Sequence, residues 1–391
     1  MIRLGRIRDD QSGMSYVFIG MGMMAFLSAS MLAIDVGMLM TSRSQAQNAA
    51  DAGALAGATA LVFNDYDDRT ASGPAVTHAI AAAKSNDVMG VDVAVDPNDV
   101  TFPVDPSGEA NRVSVDVFRT SARGNPVSTI IAKVLANFFG RPEMKTANIG
   151  ATATAEASPA NAMTCVKPFT IPDKWTERQT APWDGTDTYD AFDNKGRPLA
   201  NPDIYIPADQ SGYTGYNQES NRGQRLVIRA ATGQNITSSF YFSLALDGSG
   251  GTGGEDYRWN IANCNTRIMH WGDPLVQEPG AMEGPTIQGA DDLIARDPGA
   301  YWDNTTNTVK GSAFAQSPRT FPIPLYDPIV YDSGKRNGRS ADLVTANWIG
   351  FFLESTQGNG INGRIVPIAG IRDKTGPNPA GIFPMAIRLV K

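Results

Sequence analysis

Two histidines, two cysteines and a run of spaced aspartates are the residues of this chain whose types could carry chemistry. His270 precedes Trp271 and lies near Asp273, so a Ser-His-Asp arrangement can be drawn through it. A serine nucleophile needs the sharp G-x-S-x-G turn that exposes its hydroxyl, and no such context supports one here. His78 falls in a short surface helix, so both imidazoles read as packed or surface side chains. There is no H-E-x-x-H, no Walker loop and no G-x-G-x-x-G in strand context. The glycine-rich run Asp247 to Asp256 (DGSGGTGGED) lacks the Lys-Ser/Thr pair and the following helix of a phosphate cradle, and reads as a flexible hairpin tip. The sequence therefore predicts no catalytic residue, no cofactor-binding residue and no enzyme.

Three other groupings are weighed as binding sites. Asp184, Asp187, Asp190 and Asp193 recur every three residues in the loop Trp183 to Gly196. EF-hand ligands alternate at positions 1, 3 and 5, so this is not that loop. Irregular calcium sites of β domains use such clusters, and a solvated acidic loop is the bland alternative. Aromatic residues gather in the second half of the chain: Trp175, Trp183, Tyr189, Tyr205, Tyr213, Tyr216, Trp259, Trp271 and Trp302. Exposed, they would stack on a glycan or a surface ligand; buried, they would fill the core of a β domain. The segment Ile204 to Ser220 is the best surface candidate among them. Cys165 and Cys264 match no metal or redox spacing. In an oxidising compartment they would form one disulfide, which in the chain-entropy model contributes up to about 4.7 kcal/mol for a loop of about 100 residues.

The element that must position all of this is at the N-terminus. Gly13 to Ile34 carries no charge. As a helix it spans about 33 Å, against about 30 Å for the hydrocarbon core of a bilayer. It runs without a break into an alanine-rich segment ending near Val62. A signal peptide has a shorter apolar core of about 7 to 15 residues, so a retained anchor is expected. Pilin-type trimming after Gly13 usually goes with a glutamate five residues past the cut; Phe18 stands there, which argues against it. Arg3, Arg6 and Arg8 precede the span and an acidic body follows it. Basic flanks stay cytoplasmic, so a single-pass protein is expected with its N-terminus inside and everything after about Met40 outside.

Small residues repeat along this helix at four-residue spacing: Ala25, Ala29, Ala33 and Gly37 within the span, then Ala46, Ala50, Ala54 and Ala58 beyond it, with Gly53 and Gly57 as a G-x-x-x-G. Such faces let a second helix approach closely in lipid. Alanine alone is explained by helix propensity, but each glycine costs about 1 kcal/mol relative to alanine, so a packing surface for partner helices is expected. Asp35, at the outer end of the span, is either a solvated carboxylate or the mate of a cation on another subunit.

The 391 residues leave room for two domains beyond the anchor. A net charge of −7 gives no electrostatic case for nucleic acid. The 39 glycines and 25 prolines suit a loop-rich β fold. In order, we expect a tail at 1–12 and the long helix at 13–62. A small α+β, pilin-like domain follows at 63–158, and a β-rich domain at 159–391. In the former, a helix near Thr77–Asp87, strands at Val91–Val95, Val100–Val104 and Arg112–Arg119, a Ser128-capped helix to Gly140, and a strand over Ala147–Ser158 form a helix-backed antiparallel sheet. In the latter, candidate strands are Gln224–Ala230, Ser238–Leu246, Arg319–Pro324, Asp327–Tyr331, Ala346–Leu353, Gly363–Ile371 and Ile382–Val390, with one helix at Ile287–Ala295. The fold class is α+β, with a sandwich-like or barrel-like outer domain.

The N-terminal 60 residues resemble the TadE/TadG-like family of Flp (tight-adherence) pilus assembly proteins. The resemblance is carried by the short basic leader, Gln11-Ser12-Gly13, the IDVG of Ile34 to Gly37, and QNAADAGALAGA from Gln47 to Ala58. It marks Asp35, Gln47, Asn48 and Asp51 as signature positions. It implies a bitopic inner-membrane component of a pilus or secretion machine, with a β-rich extracytoplasmic region, no known catalytic residues, and the bilayer and other pilus subunits as partners. Larger members sometimes carry a von Willebrand A domain with a D-x-S-x-S metal motif. The nearest string here, Asp247 to Gly251, ends on glycine rather than serine. The expected function is a minor-pilin-like structural or assembly component; a surface adhesin or glycan-binding protein that shares the anchor is the alternative.

Overall fold

A computed structural model describes residues 12–106, 108–180, 182–193, 195–231, 235–246, 253–336, 342–373 and 384–390. The leader arginines and Gln11 lie outside the described residues, as do Asp247 to Thr252, which include the D-x-S-x-S-like string. The chain divides into two compact units, 1–60 with 67–155 and 389–391, and 61–66 with 156–388.

The first unit is built on α1 (Ser12–Phe63), one unbroken helix of 52 residues. Then follow α2 (Pro74–Lys84), β1 (Val100–Thr101), β2 (Arg112–Arg119), β3 (Val127–Ser128), α3 (Ile131–Phe139), β4 (Thr146–Ala147) and β5 (Ile149–Pro159). Proline at the first position of α2 fixes φ where no N–H is needed. β2 alternates buried and half-buried residues along its whole length, as its period-two pattern requires. It lies between β1 and β5, with Val100 opposite Val115. The inward face (Val113, Val115, Val117), Ala49, Ala50, Ala54 and Ala58 of α1, and Ala75, Ala79 and Ala83 of α2 are fully buried.

Two expected strands shrink. Val91–Val95 makes only the isolated bridges Val88–Val91 and Ala94–Phe118, and Val100–Val104 pairs over two residues. The buried Arg119 explains the first: its guanidinium donates to the carbonyls of Val88 and Val91, which a neighbouring strand would otherwise use. Between them Pro97, which has no N–H to give, opens a 3-10 turn.

The second unit holds β6 (Ala162–Met163), β7 (Phe169–Pro172), α4 (Gln218–Asn221), β8 (Arg225–Ala230), β9 (Phe240–Ser243), α5 (Gly254–Ala262), β10 (Met269–His270), β11 (Pro274–Leu275), α6 (Glu283–Arg296), β12 (Tyr301–Asp303), β13 (Thr308–Lys310), β14 (Thr320–Tyr326), α7 (Pro328–Arg336), β15 (Leu343–Gln357), β16 (Gly360–Val366) and β17 (Met385–Leu389). Its main sheet runs β11-β15-β14-β7-β9-β8-β16, and β16 returns to pair with β15. Six strands thus close into a barrel-like ring, with β14–β7 and β8–β9 parallel and the other pairs antiparallel. Closure removes exposed edges, which a two-sheet stack would keep. β15 is long enough, at 15 residues, to pair with β14 along one stretch and β16 along another. Its residues Ile349, Phe351 and Leu353 join Phe169, Ile228, Ile323 and Ile361 in one core cluster, whereas Trp348 and Phe352 pack into others. Burial on both faces is why WIGFFL reads as a continuous apolar run.

Two assignments are corrected here. Asp327–Tyr331 is not a strand. The Asp327 carboxylate accepts the N–H groups of Ile329 and Val330 at 2.7 and 3.0 Å, and Pro328 opens α7 behind it. The end of the glycine-rich run is not a hairpin tip either, since Gly254 begins α5 with Glu255 and Asp256 in its first turn. Negative side chains there complement the helix dipole.

Candidate functional site: the small-residue faces of the first helix

α1 has two regimes. From Met14 to Leu27 its side chains stand exposed, among them Phe18 at 66% and Phe26 at 72%. By length and composition this stretch can cross a membrane. Ala25, Ala29, Ala33 and Gly37 all lie on exposed positions of the helix, and a Cβ added at Gly37 would meet nothing within 4 Å. Beyond Met40 the helix turns a continuous stripe inward: Ser42, Ala46, Ala49, Ala50, Ala54, Ala58 and Leu61 are at most 1% exposed.

The glycines beyond the span are used inside the chain. A Cβ on Gly53 would lie 3.1 Å from the Ala79 carbonyl oxygen and from the Ala83 Cβ, and one on Gly57 only 2.7 Å from Val113 Cγ1. The close approach that this G-x-x-x-G permits is therefore to α2 and β2 of the same unit. The expectation that Gly53 and Gly57 face partner helices is corrected accordingly.

Asp35 also finds its partner at home. It is 4% exposed, and its two carboxylate oxygens accept the backbone N–H groups of Ile130 (2.8 Å), Ile131 (3.1 Å) and Ala132 (2.6 Å). These are the orphan donors at the start of α3, so Asp35 caps a helix nearly a hundred residues away in sequence. Neither the solvated carboxylate nor the cation on another subunit describes it. Ser128, expected to cap this helix, lies in β3 instead, opposite Thr146. Of the other signature positions, Gln47 donates from Nε2 to Asp51 Oδ1 at 2.8 Å and to the Thr152 carbonyl at 3.3 Å, and Asn48 is exposed.

The second unit internalises most of its polar chemistry. Cys165 and Cys264 form a disulfide. Three of the four loop aspartates accept hydrogen bonds from within or beside their own loop. Asp184 accepts from Thr186, Asp187 from Thr180 and the Asp184 N–H, and Asp193 from Lys195 and Arg197, while Asp190 donates its N–H to Asp203. Among the described residues no group of three or more His, Cys, Asp or Glu is placed to hold a metal ion.

The aromatic residues of Ile204–Ser220 point inward rather than forming a platform. Tyr205 and Tyr213 donate to Asp173 Oδ2 at 3.0 and 2.8 Å, and Tyr216 is 1% exposed. Burial pushes the Asp173 carboxyl up to about 6 against the pull of these donors. Trp175, Trp183, Tyr189 and Tyr216 stack edge to face, and Trp302 is buried. Trp259, at 40%, is the most exposed of the nine. Lys167, beside the disulfide, donates to the Asn263 carbonyl at 2.8 Å, and burial and then the charge of Arg296 push its amine down to about 7. His270 lies 3.7 Å from Asp273 and 3.4 Å from Asp373, and His78 is exposed. A cleft of about 770 Å³ opens between Arg229–Ala231, Phe240–Ser243 and Gln357–Asn359.

Compared with known proteins, residues 13–60 match the family described as putative Flp pilus-assembly TadE/G-like. The match covers the whole two-part stripe of α1 and all four signature positions. No curated protein and no solved structure matches the chain.

Proposed function

We propose that this chain is a membrane-anchored assembly component of a Flp-type pilus or secretion machine, and that it joins its partners through the exposed face of α1. The observation that carries this reading is the coincidence of the family match over residues 13–60 with an unfilled small-residue face at Ala25, Ala29, Ala33 and Gly37. The small-residue stripe of the matched segment beyond Met40 is already spent on internal packing.

Lipid gives two helices no hydrophobic reason to associate, so close contact at small residues is what holds them. The basic leader and the disulfide both support an N-terminus inside and a bulk outside the cytoplasm, since disulfides persist in oxidising compartments. The barrel-like unit then lies outside the cytoplasm, where it can make further contacts.

The test uses the tagged full chain, extracted from native membranes in mild detergent. Pilus-assembly proteins should be recovered with it, and Ala29→Leu together with Gly37→Leu should reduce their recovery about tenfold, the effect of roughly 1.4 kcal/mol. Undiminished recovery with the double variant would overturn the assignment of the face. Recovery of no pilus protein with the parent chain would overturn the function.

A further inference from the structure

The cap on α3 places that helix at a defined height along α1. Asp35 lies one residue past the uncharged run, and it holds the first N–H groups of α3 at 2.6 to 3.1 Å. α3 is therefore fixed at the level where the span ends. Its apolar residues differ in exposure, with Ile131 and Leu135 half-buried. Ala132 and Ala136 are buried against the protein, at 6% and 1%. Ile130, Val134 and Phe139 are exposed at 52%, 66% and 50%. On α1 at the same level, Ile34, Val36 and Met40 are exposed at 46%, 38% and 68%. Exposed apolar side chains thus stand on both helices where Asp35 joins them. Lys133 and Asn137, also exposed, occupy the remaining side of α3. An apolar strip with a lysine along its polar edge is the pattern of a helix that lies in the plane of a bilayer surface.

We propose that α3 is an interfacial helix: its Ile130–Val134–Phe139 face enters the outer leaflet while Lys133 meets the headgroups. The occupant is the lipid surface, because the same carboxylate that starts α3 marks the exit of α1 from the hydrocarbon. The consequence is mechanical. Two apolar elements joined at Asp35 set the depth of α1 and resist its rotation, so the small-residue face keeps one direction in the membrane. This rests on the anchor reading above, and the experiment separates the two.

Both native cysteines are in the disulfide, so introduced cysteines can be spin-labelled singly in the full chain. The protein is reconstituted in vesicles of phosphatidylethanolamine and phosphatidylglycerol, and the depth of each label is read from oxygen against nickel-chelate collision. Phe26→Cys reports the span, Val134→Cys and Phe139→Cys report α3, and Ser121→Cys, exposed on a turn, reports water. We expect the Phe26 label in the hydrocarbon and both α3 labels about 5–10 Å below the headgroup level, the usual depth of such helices. A Phe26 label in the lipid with both α3 labels as wet as Ser121 overturns the interfacial helix and leaves the anchor standing. A Phe26 label in water overturns both. Dipolar broadening at 134 without lipid contact assigns the face to a second copy and overturns the proposal.

Discussion

The two halves of α1 carry the same small-residue spacing and put it to opposite uses. Ala46, Ala50, Ala54 and Ala58 are buried, and Gly53 and Gly57 lie against α2 and β2 of their own unit. Ala25, Ala29, Ala33 and Gly37 lie on exposed positions. A four-residue repeat of alanine and glycine therefore states that something approaches closely, but not what. The partner decides. Beyond the span the chain supplies its own complementary face, the alanines of α2: Ala75, Ala79 and Ala83 are fully buried. For the span it supplies nothing among the described residues.

The largest expected effect breaks or upholds this contrast directly. Gly57→Leu forces a branched side chain into a space where even a Cβ lies 2.7 Å from Val113 Cγ1 and 3.2 Å from the Ala75 carbonyl. Overpacking of this kind costs about 3 kcal/mol. Amide exchange in α2 and β2 should speed by more than a hundredfold, as about 3 kcal/mol requires. Ala29→Leu should leave those amides unchanged. Equal exchange in the two variants would mean that the two faces are not different in kind.

Asp35 comes next. Asp35→Ala removes a carboxylate that satisfies three N–H groups, and should destabilise α3 by about 2 kcal/mol, the upper range for a cap. Loss of exchange protection at Ile130 to Ala132, with the amides of α2 unaffected, is the expected signature. Were α2 to loosen equally, the cap would be holding the whole unit and not one helix.

How much of this could be read from the chain beforehand follows from range. α1, β2, β5 and β8 follow from periodicity and punctuation, which are local signals; α6 follows in part, since it begins at Glu283, ahead of the expected Ile287. So does the apolar run of β15, whose burial on both faces reads as unbroken hydrophobicity. What escaped was set by distant partners. The carbonyls of Val88 and Val91 are taken by Arg119, so a strand-like pattern does not extend. The cap of α3 comes from Asp35, far back in the chain, so the nearby Ser128 is a misleading local signal. The Asp327-Pro328 pair, by contrast, was a local helix signal that the apolar residues behind it masked. The closure of the barrel depends on β16 pairing with β8 and on β14 pairing with β7, partners far apart in the chain that no window of sequence contains. For the candidate site, the positions were legible and their direction was not: nothing in the spacing of Gly53 and Gly57 says that the approaching helix is α2.

A finer contrast comes from one substitution made in both halves. Gly37→Ala adds a methyl where nothing stands within 4 Å and removes a helical glycine, so α1 should gain up to about 1 kcal/mol of helix stability. Gly57→Ala gains the same propensity but loses more to the contact with Val113. Circular dichroism melts of the full chain in detergent should move up for the first variant and down for the second. The same sign for both would dissolve the distinction.

The smallest effect is expected at Gln47, and it asks what the signature positions are for. Gln47 is exposed, and its amide spans Asp51 at 2.8 Å and the Thr152 carbonyl at 3.3 Å. An exposed side-chain pair four residues apart on a helix contributes about 0.2–0.5 kcal/mol, and water competes for the longer bond. Gln47→Ala should therefore shift the stability of the first unit by about 0.5 kcal/mol, measured by denaturant titration. Asn48→Ala, at an exposed neighbouring position, should shift it by less. If Gln47→Ala instead cost about 2 kcal/mol, the segment from Gln47 to Asp51 would be a structural brace like Asp35. If both variants fold normally and yet lose pilus-assembly partners in the pull-down, then the outer half of α1 also has a face for others. The division of labour along the helix would then run around its circumference as well as along its length.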